Sequence, residues 1–186
     1  MHTSHKAIFL DRDGTIIADS GYPYKIEDLK FLPRAIEGLK RLYEDNFLLV
    51  IITNQSGIGR GFFSKAEYEV FTSELLLQLK KNDILIAGCY YCPHVEKDHC
   101  DCRKPHTKLF YDAKNDLDLD FSQSFAIGDK LRDLCICNEE PVRGILIGSR
   151  KKKSSSYPIV HNLNEAALLI EKLEKGFNNN GNKQQR

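Results

Sequence analysis

The sequence predicts an α/β protein in which a mainly parallel central sheet lies between two layers of helices. Short β-type runs alternate along the chain with stretches of helical periodicity, which is the order of a parallel sheet with crossover helices. The strand-like runs are nearly continuous in Ile, Leu, Val and Phe, as expected for strands that helices cover on both faces. The length of 186 residues fits one compact domain.

Five strands and five helices are predicted in alternation from these runs. The strands are predicted at 6–10, 47–53, 84–91, 124–127 and 144–147 because each is a short apolar or β-branched run. The helices that follow them are predicted, in order, at 33–45, 64–81, 108–117, 130–138 and 164–175. Ile159–Val160 is a weaker candidate for a sixth strand.

Local signals support two of these helices in particular. The sequence Ser64-Lys-Ala-Glu67 is a capping box, and the residues Tyr68, Phe71, Leu75 and Leu79 repeat at helical spacing. Asn164 and Gly176 bracket the last helix. A second apolar stripe, on this last helix, consists of Ala166, Leu169, Ile170 and Leu173, and both stripes are predicted to be core.

The end of the chain is predicted to lie outside the fold. Residues 177–186 are rich in Asn and Gln and offer little to bury, so we expect a disordered tail after a single domain over 1–176. The basic run Arg150–Lys153, followed by three serines, is interpreted as a solvated loop rather than an anion site.

Charge and hydropathy exclude several classes of function. The 27 Lys and Arg residues nearly balance the 26 Asp and Glu residues, so no global field attracts nucleic acid or an anionic membrane. The longest apolar run, Phe47–Ile52, has six residues, whereas a membrane helix needs about 20. The N-terminal segment has no apolar stretch typical of a secretory signal. We therefore expect a cytoplasmic protein without nucleic-acid or membrane partners. The sequence does not indicate an oligomeric state, so a monomer is the default expectation.

Polar clusters follow the predicted strands where a ligand crevice is expected in an open α/β sheet. They are Asp11–Thr15, Thr53–Gly57, Arg103–Pro105 and Gly128–Asp133. Carboxylates brought together from neighbouring strands repel one another unless a cation lies between them, and their hard oxygen ligands indicate Mg²⁺. A Thr hydroxyl and a fixed Lys offer donors to a phosphoryl group. The combination predicts phosphoryl transfer.

In this order, the four clusters resemble the haloacid dehalogenase superfamily of phosphohydrolases over about residues 6–148. The resemblance implies that Asp11 is the nucleophile and Asp13 the acid/base. It further implies that the Asp11 carboxylate, the Asp13 backbone carbonyl and Asp129 hold Mg²⁺, that Thr53 and Lys104 stabilise the phosphoryl group, and that Asp133 is a supporting carboxylate.

A second constellation is the pair of motifs Cys92-Pro-His94 and Cys100-Asp-Cys102. Four soft ligands within eleven residues fit tetrahedral Zn²⁺, and a closed set of three Cys and one His leaves no position for water. We therefore predict a structural zinc that clips the loop of about residues 92–102 and fixes the nearby Lys104. The other thiols, Cys89, Cys135 and Cys137, and also His99, are predicted to be structural.

Together with this cluster, the segments DRDGTI, TNQSGIGRG, CDCRKP and GDKLRD resemble the D-glycero-D-manno-heptose 1,7-bisphosphate 7-phosphatases and the related histidinol phosphatases. The resemblance implies a Rossmann-like three-layer sandwich without a large cap domain. It implies removal of the 7-phosphate of a sugar bisphosphate, giving heptose 1-phosphate for nucleotide-activated heptose and surface polysaccharide synthesis. The implied substrate-binding residues are Asp19, Ser20, Gly21, Tyr22, Asn54, Gln55, Ser56, Arg103 and Lys130.

Within this set, Arg103 and Lys130 are expected to bind the second phosphate of the substrate. Histidinol phosphate stays open as an alternative substrate because the same catalytic and zinc motifs would serve it unchanged. A zinc-clipped binding protein on an inactive phosphatase fold is a further alternative, although every nucleophile, metal and phosphate position is present. The neutral charge argues against a nucleic-acid end phosphatase, and the preferred anomer at C1 is left open.

Overall fold

The computed structural model describes the backbone of residues 4–148 and 156–181 and the side chains of these ranges up to Lys175. The basic run Arg150–Lys153 and the last part of the predicted tail, 182–186, lie outside the described residues. The prediction of a single domain over 1–176 stays a prediction. In the described part of the chain, no helix is both long enough and apolar enough to cross a membrane.

Six parallel strands form the central sheet in the order β3-β2-β1-β4-β5-β6. Their bounds are Ala7–Leu10 for β1, Leu48–Asn54 for β2, Ile86–Cys92 for β3, Phe125–Gly128 for β4, Arg143–Ile147 for β5 and Ile159–Val160 for β6. The weaker candidate strand, β6, is thus one of the two edge strands of this sheet. This is the doubly wound order of a Rossmann-like fold, and the predicted fold class is confirmed.

Helices cover both faces of the sheet, as the apolar strand runs require. On one face, alternate strand residues such as Ile8 pack with α1 (Ala35–Glu44), α2 (Lys65–Lys80) and α4 (Leu163–Gly181). On the opposite face, the intervening residues, for example Phe9, pack with α3 and with a 3-10 helix. Helix α3 spans Lys108–Leu117. The two cores therefore leave the carboxyl ends of the strands as the open edge of the molecule.

The helix predicted at 130–138 is a 3-10 helix over Leu131–Asn138. The Asp133 carboxylate accepts a hydrogen bond from the Lys130 backbone N–H at 2.9 Å, which closes a turn of three residues at the start of this segment. A three-residue repeat is that of the 3-10 helix. The turn holds the buried Asp133 against Gly128 at the end of β4.

The last helix is longer than the sequence indicates. We predicted its end at Lys175 and placed 177–186 outside the fold, whereas α4 continues to Gly181. Gly176 does not terminate it, because a glycine within a helix costs only about 1 kcal/mol relative to alanine and does not block the next hydrogen bond.

The strand order reverses between β1 and β4, which are neighbours although they are distant in sequence. At such a switch point the connections leave in opposite directions and a crevice opens beyond the strand ends. The Asp11 backbone N–H donates to the Ile127 carbonyl at 3.0 Å, which fixes the first residue after β1 against β4. The fold therefore brings Asp11 and Asp129 to the same crevice.

Candidate active site

Lys104 is the centre of a buried cluster of charged residues. Its Nζ lies 2.7 Å from an oxygen of Asp11 and 2.7 Å from an oxygen of Asp133, and it donates to the Ile52 carbonyl at 2.6 Å. Lys104 is only 2% exposed. Asn54 fixes the backbone beneath it, since the Asn54 amide donates to the Lys104 carbonyl and accepts from the Lys104 N–H, each at 3.0 Å.

Burial and neighbouring charges change the proton affinities in this cluster. Burial, together with the negative charges of Asp133 and Asp13, raises the pKa of Asp11 to about 7, although Lys104 opposes this increase. Burial by itself lowers the pKa of Lys104, but Asp11 and Asp133 outweigh it and raise that pKa above its ordinary value. The lysine is therefore charged, and Asp11 changes protonation state near neutral pH.

Asp129 completes a set of three carboxylates, whose oxygens, one each from Asp11, Asp129 and Asp133, lie within 4.8 Å of one another. Within the described ranges, its Oδ1 is buried and has no hydrogen-bond partner. Burial raises the pKa of Asp129, and Lys130 partly offsets that effect. Three carboxylates with one buried lysine leave a deficit of positive charge, and an unpartnered buried oxygen needs a ligand. The donor set fits Mg²⁺.

Gly14 makes the close approach of the first and fourth strand ends possible. Its φ is +87°, and a Cβ at this position would lie 2.7 Å from an oxygen of Asp129. Any other residue would therefore strain the backbone and collide with the carboxylate. The glycine of the Asp-x-Asp-Gly sequence is consequently required for packing against the carboxylate cluster, and the aspartates of the same sequence supply ligands.

Asp13 points into a different network, centred on the buried Arg12. The Arg12 guanidinium contacts the two Asp13 oxygens at 2.7 and 3.0 Å and lies over the ring of Phe71 at 4.8 Å from its centroid. Gln55 donates to Asp13 and to the Thr53 hydroxyl, each at 2.9 Å. The side chain of the second aspartate is thereby fixed in position beside the residues that follow β2.

A cleft of about 400 Å³ opens above the two networks. All four predicted clusters contribute to it, so the convergence that we expected from the strand ends is observed. The predicted site residues that line it are Asp11, Asp13, Asp19, Gly21, Tyr22, Thr53, Asn54, Gln55, Ser56, Arg103, Lys104, Lys130 and Asp133. Ser20 is exposed and does not line the cleft. Asp129 does not line the cleft either, but it belongs to the carboxylate set with Asp11 and Asp133.

The four predicted zinc ligands form a second cluster beside the cleft. The Cys92 Sγ lies 3.6 Å from the His94 Nδ1 and from the Cys100 Sγ, and the Cys102 Sγ lies 3.3 Å from the same His94 nitrogen. Ligand atoms at about 2.1–2.3 Å from a tetrahedral zinc are about 3.5–3.8 Å apart. The cluster therefore has the dimensions of a closed metal site, and its donors fit Zn²⁺.

Comparison with known proteins identifies phosphatases that are similar to this chain in sequence. The sequence profile of the family described as polynucleotide kinase 3 phosphatase matches residues 6–156. A protein of Thermoplasma volcanium named probable D-glycero-D-manno-heptose-1,7-bisphosphate 7-phosphatase is 43% identical over 125 residues, covering 67% of this chain and 86% of that protein. The D-glycero-beta-D-manno-heptose-1,7-bisphosphate 7-phosphatase of Escherichia coli K12 is 43% identical over 141 residues, covering 72% of this chain and 74% of that protein.

The solved structures agree with the sequence relatives. The D,D-heptose 1,7-bisphosphate phosphatase of B. bronchiseptica, complexed with magnesium and phosphate, superposes with a TM-score of 0.81 and 28% identity, covering 90% of this chain and 98% of that one. This chain belongs to the heptose 1,7-bisphosphate 7-phosphatase family. The family lies within the haloacid dehalogenase superfamily, so the phosphatase is a phosphoric monoester hydrolase, and the predicted enzyme class is confirmed.

Sequence reasoning did not find four residues at the site of the phosphatase. Arg60, Glu96 and Arg132 line the cleft, and Arg12 holds Asp13 from below. Arg12, Arg60 and Arg132 lie inside the motifs DRDGTI, TNQSGIGRG and GDKLRD, so the sequence shows their charge but not the direction of their side chains. Glu96 lies outside these motifs, in a segment where sequence periodicity gives no orientation.

Proposed function

We propose that the chain is a Mg²⁺-dependent phosphatase that hydrolyses the 7-phosphate of D-glycero-D-manno-heptose 1,7-bisphosphate through an aspartyl-phosphate at Asp11. The observation that carries the proposal is the buried cluster at the head of the cleft, in which Lys104 bridges Asp11 and Asp133 at 2.7 Å each. The names of the relatives favour this substrate over histidinol phosphate and favour its β anomer.

In the first step, a carboxylate oxygen of Asp11 attacks phosphorus and the bond between phosphorus and the C7 oxygen breaks. Asp13 gives its proton to that leaving oxygen. In the second step, Asp13, now a carboxylate facing Arg12 and Gln55, takes a proton from water. The water oxygen attacks the aspartyl-phosphate, and phosphate leaves while the Asp11 carboxylate is restored.

Positive charge and hydrogen-bond donors around the phosphoryl group support both steps. Lys104 and the Thr53 hydroxyl stabilise the negative oxygens of the transferring group. Asp11 and Asp129, with the Asp13 backbone carbonyl and with Asp133 as a supporting carboxylate, would hold Mg²⁺, which supplies further charge to the phosphoryl oxygens. The structural zinc is proposed at Cys92, His94, Cys100 and Cys102.

A phosphate-release assay with Mg²⁺ tests the proposal on a panel of phosphate esters. The panel holds both anomers of the heptose 1,7-bisphosphate, histidinol phosphate, fructose 1,6-bisphosphate and a 3′-phosphorylated oligonucleotide. We expect the highest kcat/KM for the β heptose anomer, since that ratio reports discrimination in the transition state. A higher value for histidinol phosphate or for the oligonucleotide would overturn the substrate while leaving the mechanism in place.

Mg²⁺ binding is expected to weaken as the pH falls below about 7. Both Mg²⁺ and phosphorus require the Asp11 carboxylate, whose pKa is raised to about 7, so the apparent affinity should fall by about tenfold for each pH unit below that value. Because the pKa in the folded state exceeds the ordinary 3.8, the metal-free fold also loses stability from Asp11 as the pH rises from about 4 to about 7. Calorimetric titrations between about pH 5.5 and 8.5 measure the Mg²⁺ affinity, and an affinity that does not change with pH would contradict the prediction.

Removal of one zinc ligand should release the metal and destabilise the loop that carries Lys104. For Cys100→Ser, we expect loss of bound zinc in elemental analysis and a Tm lower by at least about 5 °C, since the closed site contributes directly to folding. Cys137→Ser is the matched control, because this half-buried thiol lies outside the cluster, and it should retain zinc. A zinc-free wild type with unchanged Tm would contradict the structural role.

We further propose that the enzyme acts as a cytoplasmic monomer without nucleic-acid or membrane partners. The near balance of charge supports the absence of nucleic-acid and membrane partners. Light scattering after size-exclusion chromatography tests the oligomeric state.

A further inference from the structure

Three buried polar side chains form a hydrogen-bond network at one side of the catalytic cleft. Arg12 is 1% exposed, Gln55 is 2% exposed and Thr53 is 1% exposed. The Arg12 Nη2 lies 2.9 Å from one amide atom of Gln55. The other amide atom lies 2.9 Å from the Thr53 hydroxyl and 2.9 Å from the Asp13 Oδ2. Because the three side chains are buried, protein groups rather than bulk water determine their hydrogen bonds.

Arg12 fixes the direction of the hydrogen bonds in this network. A guanidinium has five N–H donors and no acceptor, so the Gln55 atom that faces its Nη2 is the amide oxygen Oε1. The amide nitrogen Nε2 therefore faces the other way and donates to the Asp13 Oδ2 and to the Thr53 Oγ1. The reversed amide would place a donor against a donor at Arg12, and the network excludes it.

The Thr53 hydroxyl accepts from Gln55 and therefore keeps its own proton for a different partner. Within the part of the chain that the structure describes, that proton has no protein acceptor. Thr53 and Asp11 both line the cleft, so the hydroxyl can donate to an oxygen of a phosphoryl group bound there. A donor whose direction is set before the reaction costs no reorganisation in the transition state.

The same amide limits the choice of oxygen at Asp13. The Asp13 Oδ2 accepts from the Arg12 Nη2 at 3.0 Å and from the Gln55 Nε2 at 2.9 Å. The Oδ1 accepts only from the Arg12 Nε, at 2.7 Å, among the described residues. Since a carboxylate oxygen has about two lone-pair positions, Oδ1 is the oxygen with room for a proton.

We propose that Gln55 is a positioning residue that sets the direction of proton donation in the active site, with Arg12 fixing the orientation of its amide. Gln55 makes the Thr53 hydroxyl a donor to the phosphoryl group and leaves the Asp13 Oδ1 as the oxygen that transfers the proton. The inference rests on the proposed function and deepens it, because it gives a positioning role to a side chain that the sequence placed among the substrate-binding residues. Both amide atoms of Gln55 are already bonded to protein groups.

Two substitutions of Gln55 separate this role from packing. Gln55→Glu keeps the shape and the acceptor for Arg12, but a carboxylate cannot donate, so the Thr53 hydroxyl would donate to it and be lost to the phosphoryl group. Gln55→Met leaves that hydroxyl free to rotate toward the phosphoryl oxygen. We expect kcat for heptose 1,7-bisphosphate to fall by about 10²- to 10³-fold in Gln55→Glu and by about 3- to 10-fold in Gln55→Met. A packing role predicts the opposite order, because glutamate has the shape of glutamine.

A double-mutant comparison distinguishes the loss of the donor from the added charge of the glutamate. In a Thr53→Val background there is no hydroxyl proton to capture, so the ratio of kcat between Gln55→Met and Gln55→Glu should shrink by at least about fivefold. An unchanged ratio would assign the defect to charge and overturn the proposal. Gln123→Glu is the matched control, because its amide also donates to an aspartate, Asp120, at 2.7 Å but does not line the cleft. Its kcat should equal that of the wild type.

The direction of these hydrogen bonds can also be observed in the wild type. Neutron diffraction from crystals grown in D₂O with Mg²⁺ and inorganic phosphate shows where each deuterium lies. We expect the Thr53 deuterium to point to a phosphate oxygen and two deuterium atoms to lie on the Gln55 atom that faces Thr53. A Thr53 deuterium directed at Gln55 would overturn the proposal, as would a Gln55→Glu variant at least as active as Gln55→Met.

The proposed function and this inference fail in different ways. A wild type inactive on heptose 1,7-bisphosphate would refute the proposed substrate only, and the two Gln55 variants would then be compared on the ester of the panel with the highest kcat/KM. Turnover retained in Asp11→Asn would refute the covalent route, whereas the order of the two Gln55 variants would still test the Thr53 donor.

Discussion

Replacement of Asp11 by Asn should abolish turnover, with kcat lower by at least about 10⁴-fold. The amide has the shape of the carboxyl group, but it has no nucleophilic oxygen to form the aspartyl-phosphate. The fold should persist, because the substitution removes a negative charge that burial and Asp133 already disfavour. The measurements are phosphate release under saturating Mg²⁺ and the Tm of the metal-free protein, which should not decrease.

Two further variants distinguish the nucleophile from other carboxylates. Asp13→Asn should lose about 10²- to 10⁴-fold, as expected for an acid/base, and phosphoprotein should accumulate on Asp11 in acid-quenched samples because water is no longer activated. Asp83→Asn, whose side chain is 85% exposed, should behave as wild type. Turnover within tenfold of wild type in Asp11→Asn would remove the covalent mechanism.

Replacement of Lys104 by Met should reduce both stability and activity. The change leaves Asp11 and Asp133 buried without the ammonium that lies 2.7 Å from each, and breaking a buried ion pair in this way costs about 3–5 kcal/mol. For a chain of this size, that loss lowers Tm by about 6–20 °C. Loss of a donor to the phosphoryl oxygens should lower kcat by about 10²- to 10³-fold. Thermal unfolding and steady-state kinetics measure the two effects.

The dependence of the Lys104→Met defect on Mg²⁺ identifies its origin. Because Mg²⁺ brings positive charge to the same carboxylates, the Tm difference from wild type should be smaller at saturating Mg²⁺ than in EDTA. Lys108→Met is the matched control, since Lys108 forms an exposed pair with Asp112 one helical turn away, and it should change neither Tm nor rate. Wild-type kcat in Lys104→Met would contradict the assigned role.

Much of the fold was predictable because the apolar runs of the sequence correspond to the buried strands. The runs around Ile8, Val50 and Ile127 are buried on both faces and therefore read as strands of a covered parallel sheet. The 3-10 helix at 131–138 and the continuation of α4 to Gly181 were not predictable. The first begins at a capping hydrogen bond from the Lys130 N–H to the Asp133 carboxylate, a feature that α-helices share, and the second continues through a glycine that local rules assign to a helix end.

The site was predictable where its geometry follows from strand ends and ligand spacing. Asp11 follows β1, and Thr53 lies at the carboxyl end of the neighbouring parallel strand β2, so the fold places them together. The four zinc ligands lie within eleven residues of the sequence, and a short loop brings them within 4.8 Å of one another.

The sequence by itself determined the sheet, the order of the clusters and the chemistry of their donors, because residue type and periodicity are local properties. Only the tertiary structure decided which charges compensate one another: Lys104 bridges Asp11 and Asp133, whereas Arg12 holds Asp13. It also decided that Arg12 is buried and so fixes the direction of the hydrogen bonds around it. The physical reason is that ion pairing depends on distance and burial across elements far apart in sequence, which no local pattern records.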